Sequence, residues 1–118
     1  MKNIFLIACL SILTIQALKA QKAVAEAEFY PLRTLPIPHN IELEVGGMAT
    51  IPDGRLAVST RRGEIWMVEN PYSATPFYRL FASGMHEVLG LNFHKGSLYA
   101  VQRGELTKLT DQNGDGSA

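Results

Sequence analysis

The sequence has few of the residues on which several classes of functional site depend. Only one of its 118 residues is a cysteine, Cys9. A mature chain that begins after the first twenty residues has no cysteine, which excludes disulfides, thiolate metal sites and covalently attached haem within this stretch. The sequence also contains no glycine-rich phosphate loop, Ser-His-Asp arrangement or HExxH zinc motif. The stability of the domain must therefore come from packing.

An excess of charge of either sign is also missing. Eleven basic residues balance eleven acidic ones, and 47% of the residues are apolar. This composition indicates one modest globular domain and gives no basic surface of the kind that binds nucleic acid.

The first twenty residues have the layout of a secretory signal peptide. Lys2 precedes an uncharged apolar run over residues 4–15, and small residues follow. The run is too short for a comfortable membrane span. We expect an exported protein, periplasmic or secreted and free of the membrane after cleavage at Ala20 or as late as Ala27. The alternatives are a buried N-terminal helix, or a lipidation signal at Cys9.

Residues 21–40 form a lead-in that ends in "FYPLRTLPIPHN". Proline restricts its own backbone and favours extended geometry in the residue before it, so the three prolines of this stretch exclude a helix. We predict an extended segment without a sheet of its own.

The remainder, residues 41–118, predicts an all-β domain, because short apolar segments alternate with Gly-, Pro- and Asn-containing turns. The predicted strands are Ile41–Val45, Met48–Ile51, Leu56–Thr60, Ile65–Val68, Phe77–Phe81, Val88–Phe93, Leu98–Gln102 and Leu106–Leu109.

Two stretches of this region repeat one pattern. "GMATIPDGRLAVSTRRGEIWMVEN" begins at Gly47 and "GLNFHKGSLYAVQRGELTKLTD" at Gly90, each with a turn glycine and an Arg-Gly-Glu step in the same order. A period near 40 residues that contains several strands is typical of propeller blades. We therefore expect the first two blades of a β-propeller, as part of a longer chain, since two blades do not close a ring. Chance similarity between two hairpins is the alternative.

"PDGRLAVSTRRGEIW" and "HEVLGLNFHKGSLYAV" also resemble the opening blades of the soluble quinoprotein glucose and aldose sugar dehydrogenases. The resemblance implies a six-bladed propeller that oxidises a sugar or related alcohol with pyrroloquinoline quinone. It further implies Ca²⁺ to position the quinone, a periplasmic electron acceptor, and a catalytic histidine beyond residue 118. The chain alone is then expected to be inactive.

The strongest cofactor-binding candidates are His86 and Glu87. They stand just before the apolar strand Val88–Phe93. The resemblance implies that residues at this junction begin to line the face that binds the cofactor. A histidine titrates near neutral pH, and a neighbouring carboxylate can tune it. The alternative is a loop pair that bonds the backbone between blades.

A metal site is suggested by Asp111, Asn113 and Asp115. Their alternation before Gly116 matches the first half of a calcium loop, which supplies oxygen ligands at positions 1, 3 and 5 and glycine at position 6. A solvated Asn-Gly and Asp-Gly turn explains the same residues.

Three arginines, Arg61, Arg62 and Arg103, suit either an anionic ligand or the stabilisation of turns and blade contacts. Their recurrence in the repeat favours the architectural role. Two other functions remain open for the whole protein: a binding or scaffolding propeller without a cofactor, and a metal-dependent lactonase of the gluconolactonase type.

Overall fold

A computed structural model describes residues 26–118, and the predicted signal peptide lies outside the described residues. A 3₁₀ turn at Glu26–Glu28 belongs to a first unit that ends at Leu32, and a second unit, Arg33–Ala118, contains all the strands. Within residues 26–118 no helix is long and apolar enough to cross a membrane.

The second unit consists of two antiparallel sheets, which confirms the all-β prediction. The first sheet has the order β1-β2-β3-β4, and the second has the order β5-β6-β7. The strands are β1 (Val45–Thr50), β2 (Leu56–Thr60), β3 (Ile65–Glu69), β4 (Phe77–Ala82), β5 (Gly90–His94), β6 (Ser97–Val101) and β7 (Leu106–Leu109).

The sequence repeat corresponds to a repeat of strand order and register. Gly47 pairs with Ser59 in the first sheet, and Gly90 pairs with Val101 in the second. From these anchors β1, β2 and β3 correspond residue by residue to β5, β6 and β7. The first three strands of both sheets are therefore copies of one unit.

One predicted strand is wrong. The structure has a single strand, β1, where the sequence predicted Ile41–Val45 and Met48–Ile51 as two. Ile41 is buried and Glu42 is exposed, but residues 41–43 lie on a sheet face, and pairing within the sheet begins only at Val45. The alternation of apolar and acidic residues arises because one side of this segment faces the sheet and the other faces solvent.

We call residues Leu35–Leu43 the strap. Ile41 packs against Val58, Val68 and Tyr78 on the face of the first sheet that points away from the second, and Leu35 and Leu43 pack around this cluster. The Tyr78 hydroxyl donates a hydrogen bond to the Pro36 carbonyl at 3.1 Å. The proline-rich lead-in thus covers an apolar sheet surface.

The main core lies between the two sheets. Its buried members are Ile51, Ala57, Ile65, Met67, Phe81, Val88, Leu98 and Ala100. The sheets approach each other at β1, β2 and β5. A Cβ placed on Gly47 would lie 2.7 Å from the Gly90 Cα, and one on Gly46 would collide with the Val88 carbonyl. Glycine at both positions permits backbone contact between the sheets.

Candidate functional site

His86 and Glu87 lie in the connector, residues 83–89, which joins β4 of the first sheet to β5 of the second. The His86 backbone N–H donates to the Gln102 side-chain carbonyl at 2.6 Å, and its carbonyl accepts from the Arg103 N–H at 3.2 Å. The imidazole is exposed and, among the described residues, makes no hydrogen bond or ion pair. Its backbone is fixed, while its side chain is free to meet a ligand.

The Glu87 carboxylate links the two sheets. It lies 3.0 Å from an Arg103 guanidinium nitrogen and 3.9 Å from Arg61 Nε. Arg61 follows β2 of the first sheet, whereas Arg103 follows β6 of the second. Glu87 also has a positive φ of 38°, a backbone conformation that costs on the order of 1 kcal/mol for a residue other than glycine. These contacts favour a structural role for Glu87 between the loops.

Neighbouring contacts hold the same connector. The Met85 N–H donates to the Gly63 carbonyl at 3.1 Å. A Cβ on Gly63, whose φ is +85°, would collide with the Met85 carbonyl oxygen. Deeper in the molecule, the fully buried Ser59 hydroxyl bonds the Gly47 carbonyl at 3.2 Å and reaches the Val88 carbonyl at 3.5 Å. The β2–β3 loop and the connector therefore form one closely packed unit.

An open cleft of about 690 Å³ lies between the connector and the β6–β7 loop, and His86, Gln102, Arg103, Glu105 and Thr107 contribute to its walls. Pyrroloquinoline quinone carries three carboxylates, so its binding site needs cations without a carboxylate partner. Arg61 and Arg103 pair with Glu87, however, and Arg62 pairs with Glu42 at 2.7 Å. The residues at this end of the sheets do not fit the quinone.

The Asp111–Gly116 loop is a closed turn. The Asp111 carboxylate accepts the Gly114 N–H at 2.7 Å and the Gly116 N–H at 2.9 Å. The Asn113 side-chain amide donates to Asp115 at 2.8 Å. The backbone N–H of Gly116, followed by that of Gly114, lowers the pKa of Asp111 below its ordinary value of 3.8.

Two carboxylates and an amide supply fewer oxygen ligands than the six to eight that Ca²⁺ usually takes. Within residues 26–118, no three His, Cys, Asp or Glu side chains form a group able to hold a metal ion. The loop is instead attached to the first sheet, because Arg79 donates to the Asp115 carbonyl at 3.3 Å and the Ala118 N–H donates to the Phe81 carbonyl at 2.9 Å. The turn interpretation accounts for every contact seen.

The two candidate regions lie at opposite ends of the second sheet. The connector enters β5 at the end where β6 finishes, since Gly90 pairs with Val101. The Asp111 loop follows β7 at the other end, where Thr110 and Ser97 hydroxyls are 2.8 Å apart beside the β5–β6 turn. One small cofactor does not contact both.

Sequence reasoning missed the joint contact of Glu87 with Arg61 and Arg103, since nothing in the local sequence indicates a left-handed glutamate. No protein-family model, curated protein or solved structure matches the chain. Any function must therefore be inferred from the repeat, the geometry and the sequence resemblance.

Proposed function

We propose that residues 41–118 provide two adjacent blades of an exported β-propeller of the quinoprotein sugar dehydrogenase-like type. The observation that carries the proposal is the stacking of two equivalent sheets, with backbone contact at Gly46 and Gly47. In a propeller the first strand of each blade lies nearest the axis, where neighbouring blades come closest. The close contact of β1 with β5 supports this arrangement.

The apolar core supports the same arrangement. Ile65 and Met67 of the first sheet face the Leu98 and Ala100 side of the second, so each sheet buries a face that it cannot bury alone. Repeat architectures are stabilised by such neighbour contacts. Two sheets do not close a ring by themselves.

Within such a propeller, this chain has a structural role at the channel. The reaction inferred from the resemblance is oxidation of a sugar or related alcohol, with hydride accepted by the quinone when it is bound. Glu87 holds the connector between two loops, and the exposed His86 imidazole is available to contact substrate.

A binding propeller without a cofactor is the second candidate. The pairing of Arg61, Arg62 and Arg103 with glutamates favours it, because no anion cradle forms among these residues.

The two functions are separated by reconstitution of the complete propeller with pyrroloquinoline quinone and Ca²⁺. Reduction of a redox dye on addition of aldoses is expected for a dehydrogenase, and omission of the quinone is the control. Absence of dye reduction with every sugar tested would reject the dehydrogenase and leave the binding propeller.

A further inference from the structure

The two copies of the repeated sheet differ at the cleft between the connector and the β6–β7 loop. By strand register, Trp66 of β3 corresponds to Thr107 of β7. A glutamate lies two positions before each of them, Glu64 in the first sheet and Glu105 in the second. The second copy therefore keeps the carboxylate and has a small side chain where the first has a two-ring aromatic one.

In the first sheet the Trp66 indole occupies the space beside the glutamate. Its Nε1–H donates to Glu64 Oε2 at 3.0 Å, and the side chain packs on the apolar cluster beneath the strap. The N–H is the only polar group of an indole, and it usually finds an acceptor when the ring is in apolar surroundings. This arrangement shows which chemical group the repeated unit accommodates at this position.

In the second sheet the corresponding space is open. The Thr107 hydroxyl donates to Glu105 Oε1 at 2.8 Å, and the Gln102 side-chain amide donates to the same oxygen at 3.1 Å. None of the described residues donates a hydrogen bond to the other oxygen, Glu105 Oε2. Met85 and Leu109, which pack against the main core, give the cleft an apolar wall. The acceptor and the apolar surface are thus present without the aromatic group.

The opening does not depend on whether a fourth strand lies beside β7. In the first sheet β4 lies beside β3, with Leu80 paired to Trp66, and the indole is accommodated all the same. A strand in the equivalent place would add a wall to the cleft and leave room for a ring next to Thr107. The cleft volume of about 690 Å³ is also within the range of small-molecule sites, about 300–1,000 Å³.

We propose that this cleft binds a small, uncharged aromatic compound that carries a ring N–H or O–H donor, of which indole is the simplest example. The donor bonds Glu105 Oε2, as the Trp66 N–H bonds Glu64, and the ring lies against Met85 and Leu109. Repulsion by the Glu105 carboxylate disfavours an anion at the same place. The inference rests on the repeat within residues 41–118 and is independent of the proposed redox activity.

Indole itself is the probe, titrated into the purified, isotope-labelled chain and followed by NMR. The backbone amide signals of the connector and of the β6–β7 loop should shift saturably, with a dissociation constant of about 1 mM, as expected of so small a compound. N-methylindole keeps the ring but lacks the donor, and it should bind about fivefold more weakly because one hydrogen bond is lost. Equal affinities, or no saturable shift with indole, would overturn the proposal.

Thr107→Trp rebuilds the arrangement of the first sheet inside the cleft. The introduced side chain should fill the site, so that added indole no longer shifts the amide signals of the connector. The matched control is Lys108→Trp, which places the same side chain on the opposite face of β7 and should leave the affinity for indole unchanged. Indole binding that survives Thr107→Trp, or that is lost equally in both variants, would overturn the proposal.

If circular dichroism shows that Thr107→Trp does not fold, Glu105→Ala tests the same contact by removing the acceptor. It should lower the affinity for indole about fivefold, to that of N-methylindole, and leave the affinity for N-methylindole unchanged. A variant that still prefers indole over N-methylindole would show that Glu105 does not receive the donor, and this result too would overturn the proposal.

Discussion

Two turn glycines show how backbone contact, and not side-chain chemistry, determines which residue a position requires. Gly63 and Gly54 both have positive φ, at +85° and +91°, but only Gly63 lies against another segment, the Met85 carbonyl. Both were recognised from the sequence as turn residues. Only the structure shows that Gly54 is needed for its backbone conformation alone, whereas Gly63 is needed both for its conformation and because a side chain would collide with Met85.

We predict that Gly63→Ala destabilises the fold more than Gly54→Ala. The left-handed conformation costs an alanine about 1–2 kcal/mol, and this cost applies at both positions. At Gly63 the methyl group must also displace the connector, adding on the order of 1–3 kcal/mol. Urea unfolding of both variants gives the difference, and equal losses would show that the connector yields without cost.

Glu87 was chosen from the sequence for its chemistry, but the structure shows it bridging Arg61 and Arg103. The Arg103 side chain is 76% exposed and that of Glu87 is 35% exposed, so we predict a coupling of only about 0.2–1 kcal/mol between them. A double-mutant cycle with Glu87→Gln and Arg103→Gln measures it, and about 1 M salt should abolish it. A coupling that persists in salt would contradict the solvated ion pair.

For Asp111, backbone N–H groups bond the ionised carboxylate and hold its pKa below the ordinary value of 3.8. Its contribution to loop stability is therefore complete above the unfolded pKa and is lost as the pH falls through the lower, folded pKa. Carbon-detected NMR titration should give a lower pKa for Asp111 in the folded chain than in the chain unfolded by urea. Equal values would mean that the turn does not persist in solution.

At the scale of elements, strands with both apolar alternation and flanking turns were predicted well: β2 and β7 begin and end at the predicted residues. The region before β1 was not predicted well. In residues 41–44 the apolar side chains face the sheet and the acidic ones face solvent, an alternation that a segment lying on a sheet shares with a strand. Periodicity alone does not distinguish pairing within a sheet from packing on it.

The strap should respond to alkaline pH. Burial raises the pKa of Tyr78 above its ordinary value of 10.0, and its protonated hydroxyl donates to the Pro36 carbonyl. This contribution is present below the unfolded pKa and is lost as the pH rises through the higher, folded pKa. Trp66 emission followed from neutral pH upward should report the loosening, and Tyr78→Phe should remove that step from the titration. An identical step in the variant would assign it to another group.

At the scale of the whole molecule, the repeat in the sequence correctly indicated two equivalent sheets, because each copy retains its turn glycine and its strand register. The role of the strap was not visible in the sequence, since its proline content specifies extended backbone and not the surface it covers. The separation of the two candidate sites, by contrast, follows from the three strands predicted between them. An odd number of consecutive antiparallel strands places the loop before the first and the loop after the last at opposite ends of the sheet.

We predict that the chain alone does not bind pyrroloquinoline quinone, because Arg61, Arg62 and Arg103 each have a carboxylate partner. Titration with the quinone in the presence of Ca²⁺, followed by isothermal calorimetry, should give no saturable heat. Saturable binding that Arg103→Gln weakens, with Arg33→Gln as the control, would show that the ion pairs open to receive the cofactor.

The copies differ in length only where strands turn. Five residues lie between the paired residues Thr50 and Leu56, and four lie between their counterparts, Phe93 and Leu98. The connection from Ser59 to Ile65 is likewise one residue longer than its counterpart from Val101 to Leu106. Each difference in length falls in a bend and leaves the inward and outward alternation of the neighbouring strands intact. A residue inserted after Lys95 should therefore be tolerated, whereas one inserted after Tyr99 would turn the remainder of that strand inside out.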